Sequence, residues 1–431
     1  MLHDNLKINE KGVLEFAGCD TVKLAEKYGT PLMLLDEDKI RTRCRLYKSA
    51  MEKHFGAGSM PLYASKALCF KGIYRIAKEE GIGIDVVSSG EIYTAVSAGF
   101  PMERAFFHGN NKTDRDIKYA IDNHVGFFVA DNVEELEAID RVAGQAGIRQ
   151  KVLLRLTPGI DPHTHKAITT GNIDSKFGQA IGTNQAEFIT AFALSKKNIE
   201  LQGFHCHIGS QIFECTPYLE AAEVMLKFIA RTFTKYGFMA KYLNLGGGFA
   251  VRYVEDHPEI DYEKNIKAIA DHINAVCEKL SLVRPVILME PGRSIVADAG
   301  ITLYTVGSVK EIPGFKNYVS IDGGMTDNPR YALYQSPYTV IVANKADKTP
   351  DYRCTVAGRC CESGDLIQEN TLIARPVRGD IIAVLVTGAY NYAMSSHYNR
   401  IPRPPIVLVS NGADKLAVMR ETEEDLTKLE L

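Results

Sequence analysis

The 431-residue chain has no unbroken apolar run near the roughly 18 residues that a membrane-spanning helix needs, so no membrane role is expected. Its opening residues, MLHDNLKINE, are polar and lack the apolar centre of a secretion signal, which predicts a cytoplasmic protein. A basic surplus is missing too: 50 Lys and Arg face 53 Asp and Glu, the formal net charge is −3, and the cations are scattered. Such a surface offers no stripe for a phosphate backbone, so nucleic acid is not an expected partner. The nine cysteines are odd in number and follow no secretion signal, which predicts reduced thiols rather than a disulfide framework. Low-complexity linkers are also absent. What remains is a chain that is 45% hydrophobic and long enough to bury a large core, with two domains expected.

Eight apolar runs stand out: PLYASK from 61, IGIDVVS from 82, RAFFHGN from 104, GFFVA from 126, KVLLRLTP from 151, GFHCHIG from 203, YLNLGGG from 242 and VILMEPG from 286. Segments of helical spacing lie between them, as in DNVEELEAIDRVAGQAG, where Asp131 is placed to cap the first turn. Short strands alternating with helices predict parallel pairing, and eight such units close a barrel. Enzymes of this architecture carry their chemistry at the C-terminal ends of the strands. Lys66, Asp85, His108, His207, Gly246 to Gly248, Glu290 and Arg293 all fall there.

From about residue 297 the pattern turns β-rich, with ITLYTVGSVKEI, YTVIVANKA, YRCTVAG, DIIAVLV and PPIVLVS. The expected fold is therefore α/β, a parallel (β/α)8 barrel over 36–296 plus a second, all-β domain over 297–431. The N-terminal segment 1–35, with GVLEFAG and TPLMLLDED, is expected to join the β domain.

Several residues invite a chemical reading. Lys66 follows the first apolar run, where desolvation in a barrel mouth lowers an amine's pKa and makes it a nucleophile toward an aldehyde. A lone lysine is more often a solvated surface residue. Gly246-Gly247-Gly248 and the glycine of EPGR follow the seventh and eighth runs, the usual phosphate-binding place in such barrels. An isolated triple glycine reads more readily as a tight turn. Glu290 is suited to holding a proton on a pyridine nitrogen, or else to a salt bridge with Arg293. His205 and His207 alternate like a metal pair, but no third ligand has suitable spacing, so no metal is expected. An imidazole stacked on an aromatic cofactor, with Gly209 and Ser210 reaching a phosphate, fits that loop better. His163 and His165 receive no chemistry. In GRCCESGD, residues 358–365, two thiols and a carboxylate share one turn, which reads as a metal clip, a pair of packing cysteines or a working acid.

YASK, HCHIGSQ, NLGGGF, MEPGR, CCESGD and GAYNYAMSSHYN occur in this order between 63 and 399. Together they resemble the diaminopimelate decarboxylase family, pyridoxal-phosphate enzymes with an alanine-racemase-like barrel. Ornithine and arginine decarboxylases share that barrel. The resemblance implies that Lys66 carries pyridoxal 5'-phosphate, His207 stacks on its ring, and Asp85 and Glu290 flank the ring with Glu290 facing its nitrogen. Ser210, Gly247, Gly248, Gly292 and Tyr390 resemble the phosphate grip, which Arg293 adjoins. Arg293, Arg330 and Tyr334 resemble the substrate clamp.

The resemblance further implies a head-to-tail homodimer in which Cys361 and Glu362 reach the neighbouring subunit's site. Cys361 is then the general acid, Glu362 the partner of the substrate's distal ammonium, and Cys360 a packing residue. SKFG, Ser175 to Gly178, matches a loop near the substrate without an assigned role. VTGAYNY departs from the DAGAYG associated with many members, but Gly388, Ala389 and Tyr390 remain. The implied reaction is decarboxylation of meso-2,6-diaminopimelate to L-lysine and carbon dioxide, the last step of lysine biosynthesis. The alternatives are a decarboxylase of this fold acting on D-lysine, D-ornithine or a carrier-bound acyl group, and a non-catalytic regulator built on the same fold.

Overall fold

The eight apolar runs become eight strands in the computed structural model, which describes residues 1–161 and 175–431. They are Met60–Ala64, Gly83–Val86, Ala105–Phe107, Phe127–Ala130, Gln150–Thr157, Ile199–His205, Tyr242–Asn244 and Val286–Met289. Each pairs in parallel with the next, and Leu288 pairs back onto Met60, so the sheet closes. Helices Lys71–Glu79, Ser89–Ser97, Asp114–Asp122, Val133–Gln145, Gln185–Ser195, Thr216–Tyr236 and Tyr262–Lys279 follow the first seven strands. Strands covered on one face by helices and on the other by the barrel interior are buried throughout, which is why they read as continuous apolar runs. Leu62, Phe106, Phe127, Val129, Leu153 and Leu288 form a core cluster drawn from strands alone, with the Phe106 and Phe127 rings stacked at 4.4 Å. Above this apolar plug, the strand ends are free to carry polar groups.

The cap of Val133–Gln145 differs from expectation. Asn132 is the N-cap, its Oδ1 accepting from the Glu135 amide at 2.9 Å. Asp131 is buried one residue earlier and serves the strand end instead. His163 and His165 lie outside the described residues.

By contacts the chain forms two units. One comprises Arg43–Ala250 and Ile260–Gly292; the other comprises Met1–Thr42, Val251–Glu259 and Arg293–Leu431. The short piece Val251–Glu259 thus belongs with the β-rich unit, although in sequence it lies between barrel elements. In that unit the long strand Gly300–Ile312 is the spine. Its first half pairs antiparallel with Leu32–Asp36 and Ile381–Leu385, and its second half with Lys316–Ile321. Leu32–Asp36 also pairs in parallel with Ile406–Ser410, so TPLMLLDED is stitched into a sheet built mostly from the C-terminal third. Tyr352–Ala357 and Leu366–Ile373 are antiparallel neighbours, and the turn between them is GRCCESGD.

Candidate active site

In the barrel unit the polar strand ends converge on Glu290, directly after the eighth strand and 3% exposed. Its Oε1 accepts from Asn244 Nδ2 at 2.7 Å, and His205 Nε2 lies 3.3 Å from the carboxylate. His108 Nε2 is 3.0 Å from Oε1, off the direction of an ideal hydrogen bond. Burial alone raises a carboxyl's pKa, but His108 and His205 outweigh it and hold Glu290 well below the usual carboxylate range. Burial pushes the His205 imidazole down to about 4, so it meets Glu290 as a neutral ring donating from Nε2.

Lys66 ends the first strand, in the short helical turn Ser65–Ala67. It is exposed, so the desolvation expected from sequence is not found. Its surroundings act on it by charge. Asp85, completely buried on the second strand, accepts from the Ser65 amide at 2.9 Å and keeps its other oxygen without a hydrogen-bond partner. Burial raises the Asp85 pKa, and the Lys66 ammonium opposes this. His207 is held well below its ordinary pKa, first by burial and then by Lys66. Its Nδ1 accepts from the Gly247 amide at 3.3 Å, which leaves Nε2 to carry the ring proton.

His205 and His207 therefore do not form the metal pair their spacing suggests: one turns to Glu290 and the other to Gly247. The reason given for excluding a metal also needs correction, because His108, His205 and Glu290 do bring three ligand-type atoms within 4.8 Å.

The glycine-rich loop after the seventh strand is shaped by close approach. Gly246 has φ +69°, and a Cβ there would lie 2.7 Å from His207 Nδ1. At Gly247 a Cβ would overlap the Glu290 carbonyl, and at Gly292 it would sit 2.7 Å from Ala64 Cβ. Gly248 accepts from the Ile212 amide at 3.0 Å, tying this loop to the one that carries Ser210. Sequence reasoning missed Arg155, on the fifth strand and 9% exposed. It faces Asp131 at 4.0 Å and lies 4.3 Å over Phe177 of SKFG. Asp131 in turn accepts from the Gly178 amide at 3.0 Å, so the SKFG loop is anchored on this ion pair. An arginine inside KVLLRLTP was the available signal, since a charge within a buried strand rarely lacks a purpose.

In the β-rich unit, two buried arginines share Tyr253. Arg293 Nη1 donates to its hydroxyl at 2.8 Å, while the Arg330 guanidinium lies 4.6 Å over its ring. Arg330 also donates to Tyr338 at 2.9 Å and to Ser336 at 3.0 Å. Burial raises a phenol's pKa, but the Arg293 and Arg330 charges outweigh it and lower that of Tyr253. Tyr390 has φ +62° and lies beneath Arg293, 4.7 Å from the guanidinium to its ring centre. Tyr334 is half-buried in the short helix Arg330–Tyr334. Among the described residues no carboxylate pairs with Arg330. Tyr253 and Tyr338 carried no sequence signal.

The GRCCESGD turn is built around buried Asp365. Its carboxylate accepts from the Met325 amide at 2.6 Å and the Cys360 amide at 2.7 Å, while its carbonyl accepts from Gly358 at 2.9 Å. Cys360 is buried, and burial pushes its thiol up to about 11. Cys361 is exposed, its amide donating to Asn399 Oδ1 at 2.8 Å, and Glu362 beside it is exposed as well.

Comparison with known proteins identifies the family. Residues 37–297 match the family described as pyridoxal-dependent decarboxylase, pyridoxal binding domain. The chain is 45% identical over 430 residues to a diaminopimelate decarboxylase of Bacillus subtilis (strain 168), covering 100% of this chain and 98% of that one. It is 43% identical over 419 residues to that of Bacillus methanolicus, covering 97% of each. Among solved structures it resembles a diaminopimelate decarboxylase of M. jannaschii in complex with L-lysine, with a TM-score of 0.91, 32% identity and coverage of 100% and 98%. No helix among the described residues is long and apolar enough to cross a membrane. With a closed barrel ending in Lys66, Asp85 and Glu290, and with kinship over its full length, the chain belongs to the pyridoxal-dependent decarboxylases and, among them, to the diaminopimelate decarboxylase family.

Proposed function

We propose that this enzyme removes one carboxylate from meso-diaminopimelate, giving L-lysine and carbon dioxide as the last step of lysine biosynthesis, with pyridoxal 5'-phosphate as cofactor. Kinship to the Bacillus enzymes supports the reaction. The observation that carries the substrate choice is Arg330: a buried cation ringed by Tyr253, Tyr338 and Ser336, with no carboxylate paired to it among the described residues. A substrate with an amino-acid group at each end supplies that missing anion from the end that does not react, and guanidinium is suited to grip it in two-point fashion. D-lysine and D-ornithine have no distal carboxylate. An exposed regulator would have no use for Lys66 beside a buried carboxylate pair.

The barrel fits the cofactor. Glu290 is a buried acceptor kept ionised by its neighbours, which suits a ring nitrogen that bears a proton. Asp85 has a buried oxygen to spare, and Gly247 and Gly292 let their loops close tightly against Glu290 and Ala64. When bound, pyridoxal phosphate supplies the electron sink for the bond that breaks. Lys66 holds it covalently, His207 covers its ring, and Ser210, Gly247, Gly248, Gly292 and Tyr390 hold its phosphate, with Arg293 adjoining. Arg293, Arg330 and Tyr334 orient the substrate, and Glu362 takes its distal ammonium. Cys361 donates the proton that replaces carbon dioxide at carbon, acting with Glu362 at the site of the other subunit in a head-to-tail homodimer. The turn leaves both side chains exposed, as delivery to another chain requires.

Two measurements test this reading. Incubated separately with meso-diaminopimelate, D-lysine and D-ornithine, the protein should release carbon dioxide from the first alone, with L-lysine as product; preferential turnover of either diamine precursor overturns the substrate. Borohydride reduction followed by peptide mass analysis should place the cofactor on Lys66, and a label on another lysine overturns that assignment.

A further inference from the structure

Glu290 is met from three sides by Asn244, His205 and His108. Asn244 Nδ2 reaches Oε1 at 2.7 Å, His205 Nε2 lies 3.3 Å away, and His108 Nε2 closes the third side at 3.0 Å. Asn244 is itself fixed, its Oδ1 accepting from the Gly246 amide at 2.9 Å. The two imidazoles pack edge to face, 5.0 Å between ring centres. His205 Nδ1 is buried and has no hydrogen-bond partner. A doubly protonated ring there would bury both a charge and an unmet donor, so His205 is neutral and its single proton is on Nε2, facing the carboxylate.

Resting on the cofactor reading above, we propose that His205, with Asn244 and His108, is a positioning residue that keeps Glu290 an ionised acceptor, so that the bound cofactor's ring nitrogen stays protonated. Asn244 and His205 meet the carboxylate as neutral donors, which suit this task better than a cation. A lysine or arginine in their place would fix the carboxylate equally well but would cancel the negative charge that a pyridinium N–H must meet. Donors without net charge stabilise the anion and leave its charge available. The low His205 pKa, about 4, agrees with the geometry. Asp85, Arg155 and His207 also act here by charge, Arg155 and His207 on Glu290 itself.

The test compares binding of pyridoxal phosphate and its 1-deaza analogue, in which C–H replaces the ring nitrogen, to cofactor-free protein. Wild type should prefer the true cofactor by at least about tenfold, because the analogue leaves Glu290 buried and unpaired. His205→Leu should shrink that preference by about tenfold, since a change of one pKa unit corresponds to that factor. His205→Gln, which can present a donor in the place of Nε2, should restore most of it. The ¹⁵N shift of labelled cofactor in wild type provides a readout that needs no variant and should report a protonated ring nitrogen at neutral pH. An unprotonated nitrogen in wild type, or an equal preference in wild type and a folded His205→Leu protein, overturns the proposal while leaving the cofactor assignment intact. Failure of wild type to bind pyridoxal phosphate overturns both.

Discussion

A buried carboxylate organises each of the two units, but in opposite ways. In the barrel, Glu290 is where the polar strand ends meet: side chains from the third, sixth and seventh strand ends turn inward to it. In the β-rich unit, Asp365 is scaffolding. It gathers backbone amides beneath the turn and leaves Cys361 and Glu362 facing outward. The first arrangement draws its side chains together at one end of a closed sheet. The second leaves a thiol and a carboxylate exposed, as the proposed sharing of sites between subunits requires.

The most severe way to break the comparison is to disable each side separately. Lys66→Ala should abolish turnover and the covalent link to the cofactor. Cys361→Ala should lower kcat by about 10²- to 10⁴-fold, the usual contribution of a general acid, while cofactor absorbance is kept. Mixed and exchanged, the two inactive proteins should regain part of the activity, because one site of each hybrid pairs an intact lysine with an intact thiol. No recovery after verified exchange sinks the shared-site reading, and full activity of Cys361→Ala removes the thiol from proton delivery.

A smaller effect is expected at Arg330. Losing one charge-assisted contact costs about 1.5 to 3 kcal/mol, so Arg330→Ala should reduce kcat/KM for diaminopimelate by roughly ten- to a hundredfold with cofactor affinity unchanged. Equal loss of cofactor and substrate binding would instead make Arg330 part of the phosphate site or of the fold.

The same contrast explains what could be read from sequence. The barrel strands were legible because they are buried on both faces, and Lys66, Asp85 and Glu290 were legible as polar residues ending apolar runs. Cys360 is buried and Cys361 exposed as expected, but both lie in a turn, where the Cys360 amide donates to buried Asp365, so strand alternation is not the cause. Long-range closure was not legible. His205 and Glu290 are 85 residues apart, and no local pattern announces that they meet. Tyr253 belongs to a short piece that joins the β-rich unit across the chain, so nothing in its neighbours marks it as the platform under two arginines. At Asp131 and Asn132 either side chain could cap a helix, and the ion pair with Arg155 that draws Asp131 away depends on a strand pairing invisible to the local sequence.

The mildest prediction sharpens the contrast through a second pair of carboxylates. Asp327 is buried near Asp365, accepting from the Gly324 amide at 3.0 Å and from the Tyr304 hydroxyl. Burial first, with the Asp365 charge in the same direction, pushes its carboxyl up to about 7, against about 3.9 for an aspartate in an unfolded chain. Its folded pKa is thus above the unfolded one, the reverse of Glu290. Between those two values the folded protein binds the extra proton, so stability is greatest at the acid end and is lost as pH rises through about 7. From about pH 6 to 8 this amounts to about 1.4 kcal/mol. Asp327→Asn cannot ionise, so its stability relative to wild type should rise by that amount across the window in urea unfolding at fixed temperature. A constant difference between the two proteins over these pH values would show that Asp327 is ionised in the fold, and that the β-rich unit holds its buried carboxylates as the barrel holds Glu290.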